Sequence, residues 1–236
     1  MNCFHMGMHR LAFLLLAAGL GVAVPANAGP PLICHAISIG SATSLPWTGD
    51  GRGWSGDASY DVNHLVRDTL AILDSNPGVL VRMETLRRAT IYARRDPRVA
   101  KELLTRLYSR ASRADITGKP DPLAWFDAGY LVECYKEWMG QNLPHMTDGL
   151  PLDPNPAAGL DGYAWVEKAI GLRGQDAEME FAAALITLEG SPANHRVHVE
   201  RALAGAKTDA LLAGNLASHF IGEKGETMAE MLVKVT

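Results

Sequence analysis

The sequence predicts an all-α fold in which helical hairpins stack as a short α-solenoid behind an irregular N-terminal arm. Three observations lead to this prediction. From residue 60 onward the apolar residues recur at helical spacing, and nowhere do they alternate over a useful length as in a strand. Gly, Asn-Pro and Asp-Pro steps divide this region into segments of helix length. The C-terminal half also contains two copies of one helix pair.

Residues 1–28 are predicted to be a signal peptide. Arg10 gives the segment a positive start, residues 11–24 are uncharged and apolar, and Ala26-Asn27-Ala28 forms a small-x-small cleavage site. The alternative is an uncleaved anchor, but the apolar run is shorter than the ~20 residues that a spanning helix needs. We therefore expect a periplasmic or extracellular protein, with no membrane span once the signal is removed after Ala28.

Residues 29–59 are predicted to form an irregular arm, because Gly, Pro and Ser are frequent there. Removal of the signal also removes Cys3 and leaves Cys34 and Cys134. An even pair of cysteines in an oxidising compartment suggests one disulfide, which would join the arm to a mid-chain helix. The alternative is a free Cys34 and a Cys134 that is simply buried in its helix.

Residues 60–236 are predicted to form one helical domain. Its first helices occupy 60–140, and Asp96-Pro97 and Asp121-Pro122 each supply an N-cap followed by proline at the first helical position. Residues 141–161 contain four prolines and are predicted to form a loop. Helices are expected to resume at 162–171, 175–189, 195–204 and 209–221.

An internal repeat with an offset of 33 residues occupies 162–222. The run VEKAI at 166–170 recurs as VERAL at 199–203, and Asp-Ala at 176–177 recurs at 209–210. Helix pairs that recur at such an interval are typical of α-solenoids, in which each hairpin buries its apolar face against the next.

The second helix of this repeat resembles that of the tetratricopeptide family through Ala177, Phe181 and Ala184. The second copy departs from the pattern, because Gly214 stands where the first has Phe181. The resemblance covers about residues 162–221. It implies helical hairpins in a superhelix whose concave surface binds protein without catalysing a reaction.

The charges of the chain are unevenly distributed. The net charge is −4, yet the stretch from Arg82 to Arg113 contains ten basic residues and three acidic ones. Four arginines occur as two pairs with a spacing of seven residues, so the two members of each pair lie on one stripe of a helix. We identify these four as candidate partner-binding residues: Arg87, Arg88, Arg94 and Arg95. The expected partner is a protein or peptide, with an anionic one among the candidates. The alternative is an arginine ridge neutralised within the chain. The negative net charge and the export signal argue against nucleic acid.

Motifs for catalysis are absent from the sequence: it contains no nucleotide-binding glycine motif and no HExxH. We therefore expect a non-enzymatic binding or scaffold module without a cofactor or catalytic residues. The alternative is a metal-binding protein or a hydrolytic enzyme of the cell envelope. It would use His195, His198 and His219, or the loop at 47–57, although surface histidines and a packed loop explain the same residues.

Overall fold

The computed structural model describes residues 31–48, 56–139 and 151–220, and all regular structure in these ranges is helical. The predicted all-α class is confirmed. The predicted signal peptide lies outside the described residues. The helices are α1 (Pro31–Cys34), α2 (Leu65–Asp74), α3 (Val79–Ala93), α4 (Pro97–Ile116), α5 (Pro122–Lys136), α6 (Gly162–Arg173), α7 (Ala177–Thr187), α8 (Pro192–Ala206) and α9 (Ala210–Phe220).

Aspartate caps begin several of the helices. Asp96 accepts a hydrogen bond from the Arg98 amide at the start of α4, and Asp121 caps α5 in the same manner. Asp176 accepts from the amides two and three residues ahead of it, and Asp209 does the same at the start of α9. The two copies of the repeat therefore begin their second helices with the same cap.

The helices pack as neighbouring pairs around a buried inner layer. The pairs α5–α6 and α7–α8 make the most extensive contacts, while α3 packs against both α5 and α7. Nearly every residue of α3 is buried, whereas α4, α6 and α8 each bury a single stripe. The α5–α6 crossing is close because Gly129 and Gly162 face each other with no side chain between the two backbones.

Residues 31–48, which we call the N-terminal segment, lie across the inner layer. Helix α1 contacts α3, α5 and α7, and Ser38 is hydrogen-bonded to Asn215 on α9. The face of α3, α5, α7 and α9 that the segment covers is called the groove below. The contacts of the segment extend from α3 to α9, the last described helix.

Within the described ranges, every helix is too short or too polar to cross a membrane. An ion pair also lies in the interior, where Arg82 is 2.6 Å from Asp127 and both side chains are almost completely buried. The Arg82 guanidinium additionally donates to the carbonyls of Leu73 and Pro77. Arg82, a basic residue of the arginine-rich stretch, is therefore used inside the fold.

Candidate functional site

Side chains of the groove hold the main chain of the N-terminal segment. The Asn215 amide binds Ser38 at two points, accepting its N–H at 2.7 Å and donating to its carbonyl at 2.9 Å. Five further side chains each bind one main-chain group: Glu137 accepts from Leu32, Glu84 accepts from Ile37, Arg87 donates to Ile33, Arg88 donates to Leu45 and Tyr92 donates to Pro46. Such contacts recognise a backbone whatever its side chains are.

Four apolar side chains of the segment enter the interior between these contacts. Leu32, Ile33, Ile37 and Leu45 are each no more than 3% exposed. Because the other residues from Ser38 to Thr48 are exposed or only partly buried, the segment is anchored at a few positions rather than along its whole length.

Glu84 organises the part of the groove that lies on α3. Its buried carboxylate accepts two hydrogen bonds from Arg87, at 2.7 and 3.0 Å, and one from Arg88 at 2.7 Å. The three side chains meet because residues three and four positions apart share a helix face. Each arginine then has a further N–H directed at a carbonyl of the segment.

The indole of Trp47 covers this ion network. The guanidinium carbons of Arg87 and Arg88 lie 5.2 and 5.5 Å from its ring centre, within the range of a cation–π contact. Asp57 donates its amide to the Tyr92 hydroxyl, and Gly56 lies directly against the Tyr92 ring. The described ends of the predicted 47–57 loop therefore pack on α3, while residues 49–55 lie outside the described residues.

The four predicted partner-binding arginines lie in different environments. Arg87 is 1% exposed, and it and Arg88 contact the chain's own segment. Arg94 lies over the Trp138 ring at 5.3 Å, and Arg95 is exposed. The segment itself carries no Asp, Glu, Lys or Arg, so the two arginines bind neutral carbonyl oxygens there rather than an anionic peptide.

The predicted disulfide is not formed in this structure, in which Cys34 and Cys134 are both buried free thiols. Burial and the neighbouring Glu137 carboxylate raise the pKa of Cys34 to about 12. Burial raises the pKa of Cys134 well above its ordinary value. Both side chains are therefore protonated at neutral pH, and neither has the character of a catalytic thiolate.

The three predicted metal candidates bind other parts of the chain. His195 donates to the Ala184 carbonyl and His219 to that of Asn215. His198 is buried with Nδ1 at 2.5 Å from Glu180 and Nε2 at 2.8 Å from the Tyr163 hydroxyl. In the part of the chain that the structure describes, they do not form a group of three metal ligands. Burial lowers the pKa of His219 to about 4.

A separate cleft of about 510 Å³ lies between α4, α6 and the loop before α6. Tyr108 and Trp165 stack in its wall with ring centres 5.0 Å apart. The rest of its lining is Leu104, Leu160 and three prolines, with Lys101 and Thr105 as polar members. None of the residues predicted as site candidates lines this cleft.

Sequence reasoning missed four residues of the groove: Glu84, Tyr92, Glu137 and Asn215. The only available signal was the spacing of Glu84 from Arg87 and Arg88, which predicts ion pairs on one helix face. No protein-family model, curated protein or solved structure matches the chain. The functional assignment therefore depends on the geometry of the groove.

Proposed function

We propose that the chain is an exported, non-enzymatic protein-binding module whose groove recognises an uncharged peptide segment. Residues 31–48 are the segment that occupies the groove in this structure. The observation that carries the proposal is the two-point hydrogen bond between the Asn215 amide and the Ser38 main chain. The 33-residue repeat and the resemblance to tetratricopeptide repeats support a superhelical array with the groove on its concave side.

The contacts define the kind of peptide that fits the groove. Carbonyl and amide groups at six residues of the segment are bound by groove side chains, so the main chain supplies the polar contacts. Specificity then comes from the apolar anchors. At Ile37, Glu84 binds the amide of the anchor itself and Asn215 binds the main chain of the next residue, Ser38. The preferred partner is a segment with aliphatic anchors and no charge.

The test makes the resident segment replaceable in a protein that has already folded. A specific protease site is inserted between residues 49 and 55, the full mature chain is purified, and the site is then cut. A fluorescent peptide of residues 29–48 is added, and its incorporation is followed by anisotropy. We expect about one peptide per groove in the cut protein and none in the uncut protein, where the tethered segment competes at the high effective concentration of an intramolecular ligand.

Two substituted peptides provide the controls. Ile37→Asp places a charge at a buried anchor and should abolish incorporation, whereas Ser41→Asp changes an exposed position and should leave it unchanged. If the cut protein unfolds when its segment leaves, the segment is a permanent part of the core. That result, or equal incorporation of both substituted peptides, would contradict the proposal.

A further inference from the structure

The cleft between α4 and α6 is lined by side chains whose hydrogen-bond donors are unused. The Lys101 ammonium group, the Tyr108 hydroxyl and the Trp165 indole N–H all belong to its lining. Within the described ranges, none of these three side-chain groups forms a hydrogen bond or a salt bridge with another part of the chain. Arg98 and Arg106 on the same helix, by contrast, each pair with a carboxylate. The donors of the cleft are therefore available to a ligand.

The aromatic wall of this cleft is held in place by neighbouring side chains. The rings of Tyr108 and Trp165 are stacked, with an angle of 28° between their planes. Trp125 packs edge-on against both rings, and its indole N–H donates to Asp115. Lys168 lies above the Trp125 ring and pairs with the same Asp115 carboxylate. A ligand that binds against this wall meets rings that are already ordered, so binding costs little side-chain entropy.

The remainder of the lining favours an apolar ligand with one negative charge. Leu104, Leu160 and three prolines supply apolar surface, and the Thr105 hydroxyl donates to the Lys101 carbonyl of its own helix. Among the described residues that line the cleft there is no acidic side chain. A sugar would lose hydrogen bonds to water that this lining cannot replace, and Lys101 would repel a cation. An apolar body with an anionic group matches both the apolar surface and the free donors.

We propose that this cleft binds a small organic monoanion. Its aromatic or aliphatic body packs against Tyr108, Trp165 and Leu160, and its carboxylate pairs with Lys101. The volume of about 510 Å³ falls within the range of small-molecule sites, which is about 300–1,000 Å³. The lining residues are different from the side chains of the groove that bind the N-terminal segment, so this second site is independent of peptide recognition.

The test compares charged and uncharged ligands of the same shape by isothermal titration calorimetry on the purified, exported protein. The probes are 3-phenylpropanoate, with an aromatic body, octanoate, with an aliphatic one, and the amide of each acid. We expect at least one of the acids to bind with a Kd of about 1 mM or tighter, and its amide to bind about tenfold more weakly. A higher salt concentration should weaken the binding of the acid and leave that of the amide unchanged.

Two variants locate the ligand in the cleft. Lys101→Glu should weaken binding of the acid by at least about tenfold and leave binding of the amide unchanged, because attraction becomes repulsion. Thr105→Trp places an indole at an exposed position of the lining and should block both ligands. Lys207→Glu makes the same change of charge at an exposed position outside the lining, and it should bind like wild type. Circular dichroism checks that each variant is folded.

Four results would overturn the proposal. They are no binding of either acid, equal affinities for an acid and its amide, unchanged binding of the acid in Lys101→Glu, and unchanged binding in a folded Thr105→Trp variant. Because peptide exchange in the groove is not measured in this experiment, its outcome leaves the proposed peptide recognition to its own test.

Discussion

Asn215 on α9 binds both the amide and the carbonyl of Ser38, a residue 177 positions earlier in the chain. This contact joins the N-terminal segment to α9, the last described helix, and the inner layer lies between them. A buried side chain that satisfies two main-chain groups at once is a specific contact, because an amide presents its donor and acceptor side by side. The integrity of the groove should therefore depend on it.

Replacing Asn215 with alanine should lower the free energy of unfolding by about 1–3 kcal/mol, because the two Ser38 groups lose their partners. Chemical denaturation measures the loss, and hydrogen exchange at the Ser38 amide should accelerate with it. Ser41→Ala, at an exposed position of the same segment, is the control that should change neither quantity. An unchanged Ser38 exchange rate in Asn215→Ala would contradict this role.

Gly129→Ala should destabilise the α5–α6 crossing by about 1–3 kcal/mol, since it overpacks a closed contact. An ideal Cβ at Gly129 would lie 2.6 Å from the Gly162 carbonyl oxygen, which belongs to backbone and cannot turn away. The matched control is Gly171→Ala on α6, where a Cβ meets nothing within 4 Å. That change should stabilise the helix by about 0.5–1 kcal/mol, and thermal unfolding of both variants tests the contrast.

Asp127 should make the protein less stable as the pH rises from about 4 to about 6. Desolvation raises the pKa of this carboxyl from 3.8 to about 6 in spite of Arg82. Between about pH 4 and pH 6 the folded protein thus retains the Asp127 proton, while the unfolded chain has lost it. The contribution of Asp127 to the free energy of unfolding therefore declines as the pH rises through this range. The free energy of unfolding of Asp127→Asn, measured against pH, should lack this decline; an identical slope in both proteins would refute it.

His219 should make the protein less stable as the pH falls, whereas Asp127 makes it less stable as the pH rises. Burial lowers the pKa of its imidazole from 6.5 to about 4, so the folded protein resists protonation that the unfolded chain accepts. The stability that neutral His219 contributes is complete above about pH 6.5 and is lost as the pH falls toward 4. NMR titration of the imidazole checks the pKa directly, and His219→Gln should remove this acid-induced loss. A His219 signal that titrates near 6.5 would contradict the prediction.

The two thiols of a protein comprising residues 29–236 should be unreactive until it unfolds. Burial raises the pKa of Cys34 to about 12, and Cys134 is completely buried, so neither offers an accessible thiolate. Ellman's reagent should therefore detect no rapid thiol in native protein and two after denaturation without reductant. A disulfide, as the sequence suggests, would instead give no reaction after denaturation, and rapid labelling of native protein would contradict the burial of both residues.

Local signals in the sequence were sufficient for the helices. The Asp-Pro pairs at 96–97 and 121–122 mark helix starts because both the cap and the fixed proline backbone act within one turn. For the same reason Asp176 and Asp209, which are 33 residues apart, begin equivalent helices in the structure. Such features depend only on neighbouring residues, so they can be read without knowledge of the packing.

The function of the arginines could not be read in this way. Their seven-residue spacing indicates a shared helical stripe, but spacing does not show whether solvent or another part of the chain covers that stripe. Arg87 and Arg88 are covered by residues more than 40 positions earlier, and both form an ion pair with Glu84 on their own helix. A stripe of like charge is thus compatible with burial when a carboxylate lies one turn away.

The amino-acid sequence by itself determined the all-helical class, the helix starts that carry an aspartate cap and the repeated helix pair, because capping and apolar spacing are local properties. Only the tertiary structure decided that an uncharged N-terminal segment covers the inner layer, and that Glu84, Glu137 and Asn215 bind its main chain. Hydrogen bonds to a backbone leave no pattern in the side chains that they recognise. Contacts such as that between Asn215 and Ser38 therefore emerge only when the fold brings distant residues together.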